Sequence, residues 1–336
     1  MRHLHVAVLA VLLTLPAAAH NRHKGFVADQ PGDYAWALRE WRPLAEQGDA
    51  NAQFNIGVMY RNGHGVSQDF GEARRWYRKA AAQGHAMAQF NLGVMYRYGH
   101  GVPRDDLVAM RWYRDAARQG DARAQTNLGV MYEEGLAVPR DYRVAAAWFL
   151  RAAEQGAAKA QNNLGFMYQM GRGVSLDTKE AVRWYRQAAE QGDAEAAYNL
   201  AAAYREGMGV PRNHAQAFRW YRMAAEQGLA LGQHDLGIMY ANGDGIPKDY
   251  GEAVKWYRKA AAQGHVGAQN SLGFMYGNGH GVPRSFVLAH MWWSIAVARG
   301  YRGAAVGLDQ IAGHMTPDQI AEAQRRAAEW LAKHGR

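Results

Sequence analysis

The feature that most constrains this chain is a period. The octapeptide Gln53-Phe54-Asn55-Ile56-Gly57-Val58-Met59-Tyr60 returns every 36 residues, at 89–96, 125–132, 161–168, 233–240 and 269–276. A weaker copy at 197–204 keeps Leu200 and Tyr204 and replaces the glycine by Ala201. A unit of this length cannot bury its own apolar face, so successive copies must stack and share one elongated core. The 336 residues, which would ordinarily suggest two or three globular domains, therefore read as one array. Seven repeats run over 49–300 without insertion or deletion: 49–84, 85–120, 121–156, 157–192, 193–228, 229–264 and 265–300.

The first repeat serves as template. Asp49 follows Gly48 and is placed to cap a first helix (helix A), along which Ala52, Ile56, Met59 and Tyr60 recur at helical spacing. Gly63 stands where a left-handed residue would end that helix. After Gly65 and Val66, Asp69 with Glu72 three residues on forms a capping-box pattern for a second helix (helix B). Helix B carries Ala73, Trp76, Tyr77 and Ala80 and closes at Gly84. Small residues such as Gly57 and Ala73 let the two helices approach, and Trp76, Trp112, Trp148, Trp184, Trp220, Trp256 and Trp292 are expected to form a buried ladder. The fold class is thus all-α, a solenoid of helix pairs.

The pattern Ala-Gln-x-x-Leu-Gly-x-Met-Tyr, then Gly-x-Gly-Val-Pro-x-Asp, then Ala-x-x-Trp-Tyr-Arg-x-Ala-Ala-x-Gln-Gly resembles the Sel1-like repeat family, relatives of the tetratricopeptide repeat, over residues 33–300. The resemblance implies a right-handed superhelix of helix pairs and a scaffold role in protein complexes, often in the bacterial envelope or outside the cell.

The ends differ from the array, as terminal repeats should because one face meets water. Residues 33–48 read as a lone capping helix in which Trp41 sits one place off the tryptophan column and Pro43 interrupts the pattern. Residues 301–336 read as a C-terminal cap whose last helix starts at Thr316-Pro317-Asp318-Gln319. Ahead of the array, Arg2, an apolar run over 6–15 and Ala17-Ala18-Ala19 form a secretory signal peptide (1–19), with cleavage expected after Ala19 and a flexible leader over 20–32. The apolar run is shorter than the about 20 residues a membrane-spanning helix needs. The expected product is exported, periplasmic or secreted, and its two caps argue for a monomer.

The chain has no cysteine, so disulfides, thiolate nucleophiles and cysteine metal sites are excluded. It also lacks Ser-x-x-Lys, Gly-x-Ser-x-Gly, a Walker loop and His-Glu-x-x-His. His64, His100 and His280 share a loop column and His85 and His265 an N-terminal one, but equivalent residues of stacked repeats lie roughly 16–20 Å apart, too far to converge on one metal. His20 and His23, at the expected mature N-terminus, suit at most adventitious copper. No enzyme, cofactor or metal is expected. The net charge of +9 permits an anionic partner. Two columns of helix B are basic: Arg75, Arg111, Arg183, Arg219 and Lys255, and Arg78, Arg114, Arg186, Arg222 and Arg258. They read first as a solvated, salt-bridged face and second as a surface for an anionic envelope polymer such as polysaccharide or peptidoglycan.

Columns that vary between repeats are free for recognition. On helix A these are positions 51, 54, 58 and 61, which share one stripe. The stripe puts Phe54, Phe90 and Tyr198 beside Arg61, Arg97 and Arg205, residue types enriched at protein interfaces. These six are the expected protein-binding residues if helix A lines the concave face. The alternative for position 54 is plain space-filling between repeats.

Overall fold

The computed structural model describes residues 31–334. Helix α1 (Pro31–Glu46) leads into seven helix pairs. These are α2 (Ala50–Asn62) with α3 (Phe70–Ala82), α4 (Ala86–Tyr98) with α5 (Asp106–Arg118), α6 (Ala122–Glu134) with α7 (Tyr142–Glu154), and α8 (Ala158–Met170) with α9 (Thr178–Glu190). Then come α10 (Ala194–Glu206) with α11 (His214–Glu226), α12 (Ala230–Asn242) with α13 (Tyr250–Ala262), and α14 (Val266–Asn278) with α15 (Phe286–Ala298). Two further helices, α16 (Ala304–Ala312) and α17 (Pro317–His334), close the end. From α1 to α16 each helix packs on the one before and the one after, which is an α-solenoid, and α17 packs back on α15. The lone helix covers 31–46 rather than 33–48, so Pro31 and Gly32, expected in the leader, are helical. The signal peptide and the rest of the leader lie outside the described residues.

Local chemistry sets the helix ends. Asp49 Oδ1 accepts from the Ala52 amide at 2.7 Å, and Gly63 takes φ 73° as a left-handed C-cap. Asp69 caps helix B by accepting from Glu72 N at 3.0 Å. The return half of the expected capping box is missing. The Asp69 amide is already bonded to the Tyr60 carbonyl at 2.9 Å, which ties the loop to helix A, and Glu72 turns instead to Arg75. The full box forms at α17, where Thr316 and Gln319 exchange both bonds.

In repeats 2 and 7 the cap of helix A is a histidine: His85 Nδ1 accepts from Ala88 N at 3.2 Å, and His265 Nδ1 from Ala268 N at 3.1 Å. Only the neutral ring offers that lone pair, and burial lowers both pKa values. The folded state therefore binds fewer protons than the unfolded one near the ordinary histidine pKa of about 6.5. The stabilisation from these caps is complete above that pH and is lost as pH falls through the lowered folded values. Between pH 7.5 and 5.5 the thermal midpoint should fall further for the natural chain than for a His85→Asp/His265→Asp variant, whose caps do not depend on a neutral imidazole. Parallel melting curves would rule this account out.

The deepest aromatics are not the tryptophans. Tyr77, Tyr113, Phe149, Tyr185, Tyr221 and Tyr257, one residue later, are all buried, whereas in the tryptophan column only Trp76, Trp184 and Trp220 are, and Trp112, Trp148, Trp256 and Trp292 are half-buried. The expected ladder is therefore corrected: the tyrosine column is the core, and several tryptophans lie at its edge beneath cations, such as Lys259 Nζ 3.9 Å from the Trp256 ring. The repeat glycine serves the tyrosine. A Cβ on Gly57 would come within 2.6 Å of the Tyr77 ring, and every other repeat glycine of this column faces the aromatic in the same way. Trp41 and Trp293 occupy the tyrosine column at the two ends of the array, so Trp41 is in register after all.

Polar groups stitch the repeats. In repeats 1–4 and 6 the glutamine of helix A donates to a carbonyl near the end of the preceding helix and accepts from the glutamine closing its own helix B. Gln125 Nε2 reaches Ala117 O at 3.2 Å while Gln155 Nε2 reaches Gln125 Oε1 at 2.7 Å. Ala197 breaks this ladder in repeat 5. A second stitch, present at four of the seven repeats, runs from α1 or the later basic column of helix B to the tyrosine ending the next repeat signature. Arg42, Arg114, Arg186 and Arg258 donate to Tyr60, Tyr132, Tyr204 and Tyr276 at 2.6–2.9 Å.

Candidate functional site

Each A helix turns its alanines, its invariant leucine or isoleucine and its methionine inward, which leaves the variable positions to decide what a partner would meet. The six expected residues are all half-buried. Phe54 tilts against Tyr77 with ring centroids 5.8 Å apart and stacks on His85 at 4.7 Å. Phe90 meets Tyr113 at 5.8 Å under the Arg123 guanidinium, and Tyr198 meets Tyr221 edge-on at 5.5 Å. Position 54 thus leans into the seam between consecutive A helices. The arginines beside it are mostly occupied. Arg97 pairs with Asp106 at 3.2 Å and Glu134 at 3.5 Å, and Arg205 with Asp235 at 3.2 Å and Glu206 at 2.9 Å. Among the described residues the Arg61 guanidinium donates to the Asn62 Oδ1 alone, at 3.0 Å.

The open apolar side chains of helix A lie elsewhere, at positions 51, 58 and 62 of the repeat. They are Met87, Tyr98, Met170, Leu231 and Phe274, with Tyr98 63% and Phe274 52% exposed. Position 62 was not in the expected stripe. The signal for it was available in the spacing, since 51, 58 and 62 are separated by seven and four and so share a face as well as 51, 54, 58 and 61 do.

One constellation has the connectivity of a nucleophile relay. In repeats 6 and 7, Ser271 Oγ lies 3.3 Å from His234 Nε2, and His234 Nδ1 lies 3.4 Å from Asp235 Oδ1. Its chemistry points away from catalysis. The Ser271 hydroxyl donates to the Gly267 carbonyl at 2.9 Å, so its proton is not held for the imidazole. Asp235 is shared with Arg205. All three residues lie inside helices, whose amides are spent on the helical ladder and offer no oxyanion donors. Burial pushes the Asp235 carboxyl up, but hydrogen bonding from His234 and the Arg205 charge outweigh it and hold its pKa below the usual value. The cluster is a buried ionic stitch between repeats 5, 6 and 7.

The remaining histidines are structural as well. His64, His100 and His280 stack on Tyr34, Phe70 and Tyr250 at 4.5, 5.6 and 4.5 Å, each an aromatic near the start of the preceding helix B. Among the described residues no group of three His, Asp or Glu is placed to hold a metal, and His20 and His23 fall outside them. No described helix is long and apolar enough to cross a membrane. On helix B, Arg75, Arg183 and Lys255 pair with Glu72, Glu180 and Glu252 at 2.6–2.7 Å, as a solvated salt-bridged face requires. Arg111 and Arg219 have no such partner and are exposed, and Arg111 joins Arg78, Tyr96 and Trp112 around a shallow hollow.

The model of the Sel1 repeat matches residues 50–85, 86–121, 122–156, 158–193, 194–229, 230–265 and 266–301. The crystal structure of a Sel1 repeat protein from Oxalobacter formigenes is 37% identical, with a TM-score of 0.67, over 84% of this chain and 83% of that one. A protective antigen present in uropathogenic Escherichia coli strains, whose structure displays the same repeat fold, is 30% identical over 90% of this chain and 80% of its own, with a TM-score of 0.45. Among curated proteins none matches significantly.

Proposed function

Because this chain belongs to the Sel1 repeat family, we propose that it is an exported scaffold that binds protein partners through the face formed by its A helices and has no catalysis of its own. The observation that carries this reading is the set of large apolar side chains left open on that face, Met87, Tyr98, Met170, Leu231 and Phe274, on helices whose inner sides are fully packed. Tyr98 and Phe274 touch His100 and His280 of the loops that follow, at 5.9 and 5.7 Å between ring centroids, and still leave their outer faces open, and interfaces are built around such anchors. Export rests on the N-terminal pattern of Arg2, the apolar run and Ala17-Ala18-Ala19. The protein recovered from the cell envelope should have the mass of residues 20–336.

A second reading, binding of an anionic envelope polymer along helix B, draws on Arg111 and Arg219, the unpaired cations of the first basic column. The later column supports it less, since three of its five arginines, Arg114, Arg186 and Arg258, are engaged with tyrosines of the next repeat. One experiment separates the readings. Residues 20–336 are used to capture partners from envelope extract at low and high salt, beside a Tyr98→Ser/Met170→Ser/Phe274→Ser variant and an Arg111→Gln/Arg219→Gln variant. A discrete protein that persists at high salt and is lost only with the first variant is the expected result. Capture that vanishes in salt and with the second variant would replace the scaffold reading by the polymer one.

A further inference from the structure

Position 61 of the repeat is arginine three times, and the three differ in one respect. Arg97 is neutralised by Asp106 and Glu134, and Arg205 by Asp235 and Glu206. Shifted back by whole repeats onto Arg61, those four carboxylate positions become Phe70, Tyr98, Asn91 and Asn62. None is acidic. Arg61 is half-buried between the A helices of repeats 1 and 2 with the Asn62 amide oxygen as its hydrogen-bond acceptor. The Tyr77 hydroxyl nearby is buried beside Asn91 and within the field of the Arg61 charge. A guanidinium partly withdrawn from water with no counter-charge is a site short of one component, and the same fold shows twice what that component is.

We propose that Arg61 anchors a side-chain carboxylate of an acidic partner segment laid across the A helices of repeats 1 and 2, with the open faces of Tyr98 and Met87 as its apolar neighbours. The inference rests on the scaffold reading and adds the chemistry of the partner. The carboxylate takes the place that Asp106 and Glu134 take at Arg97, where approach is from the start of helix B on one side and the end of the next helix A on the other. The ligand belongs to another chain because the positions that would supply it here are aromatic or amide.

The test uses fluorescein-labelled ten-residue peptides, acetylated and amidated so that only side chains carry charge. One alternates glutamate with leucine, and the other alternates glutamine with leucine. Fluorescence polarisation is read on residues 20–336 and on three variants with unchanged thermal melts: Arg61→Gln, Arg75→Gln and Tyr98→Glu. The last installs, next to Arg61, the carboxylate that Glu134 presents to Arg97. The glutamate peptide is expected to bind about tenfold more tightly than the glutamine peptide, as for a charge-assisted pair. Arg61→Gln and Tyr98→Glu should abolish that preference, while Arg75→Gln, which removes the same charge from helix B, should keep it. Equal binding of the two peptides, no binding of the glutamate peptide at about 1 mM, or equal losses from Arg61→Gln and Arg75→Gln would overturn the proposal. Those results leave the scaffold reading to its own test, because capture lost with Tyr98→Ser/Met170→Ser/Phe274→Ser needs no carboxylate.

Discussion

Replacing Tyr113 by alanine lowers the stability of repeats 2 and 3 by about 3–5 kcal/mol, and Trp112→Ala, one residue earlier, by about half as much. The ordering is the opposite of what side-chain size suggests. Tyr113 is 1% exposed, its ring lies flat against Gly93, and Phe90 closes on it from the side. Removing the ring leaves a cavity walled by helix backbone, which cannot relax inward without moving both helices of the pair. Trp112 is half-buried, so its removal opens a notch that water can fill. Tyr113 also carries a hydroxyl that is buried without a partner, and burial raises its pKa, so Tyr113→Phe should cost little. In an array the loss is local. Hydrogen exchange across 86–134 is therefore the appropriate readout, with urea denaturation beside it. Equal losses for Tyr113→Ala and Trp112→Ala, or a larger one for Trp112→Ala, would return the core to the tryptophan column.

The second large effect is expected at a loop. Gly173→Ala should cost about 3–4 kcal/mol, whereas Gly156→Ala should cost about 1–2 kcal/mol, although both glycines have positive φ, 71° and 86°. The shared part is left-handed strain, and Ala137 at φ 61° shows that an alanine of this chain can adopt that conformation. The difference lies in what a Cβ would meet. At Gly156 nothing lies within 4 Å. At Gly173 the Cβ would overlap the Tyr142 carbonyl oxygen at the start of the preceding helix B, a backbone atom that cannot rotate away. The loop of repeat 4 is thus pressed onto repeat 3, and a methyl group there must part the two. Thermal denaturation of the two single variants checks this directly. Similar melting points would mean that the loop does not bear on its neighbour.

Much of this architecture was legible before any coordinates. The seven copies, the Asp49 and Asp69 caps and the glycine ends of helix A all follow from local rules, because a cap or a helical period involves residues a few positions apart. What misled was the relation between distant positions. Trp41 is one place off the tryptophan column but in register with Tyr77, the column that forms the core. The later basic column looked solvated, yet Arg114 reaches Tyr132 eighteen residues on. Phe54 lies against Tyr77 and His85, contacts that the spacing along helix A does not disclose.

The amino-acid sequence by itself therefore determined the number of helices in the array, their ends and the face each turns inward. A period of 36 with no insertion leaves no other way to bury the apolar positions. The tertiary structure alone decided which aromatic is deepest, which cations are already spoken for and which side chains remain open to a partner. Those depend on where one helix pair comes to rest against the next. That spacing is set by side chains far apart in the chain meeting across the seam, such as Arg114 with Tyr132 and His234 with Ser271, and it leaves no trace in the period that both possibilities share. Arg61, Arg97 and Arg205 make the point: they are identical in register, and only the neighbours that packing brings to them, in the same repeat and across the seam, leave one of them without a carboxylate.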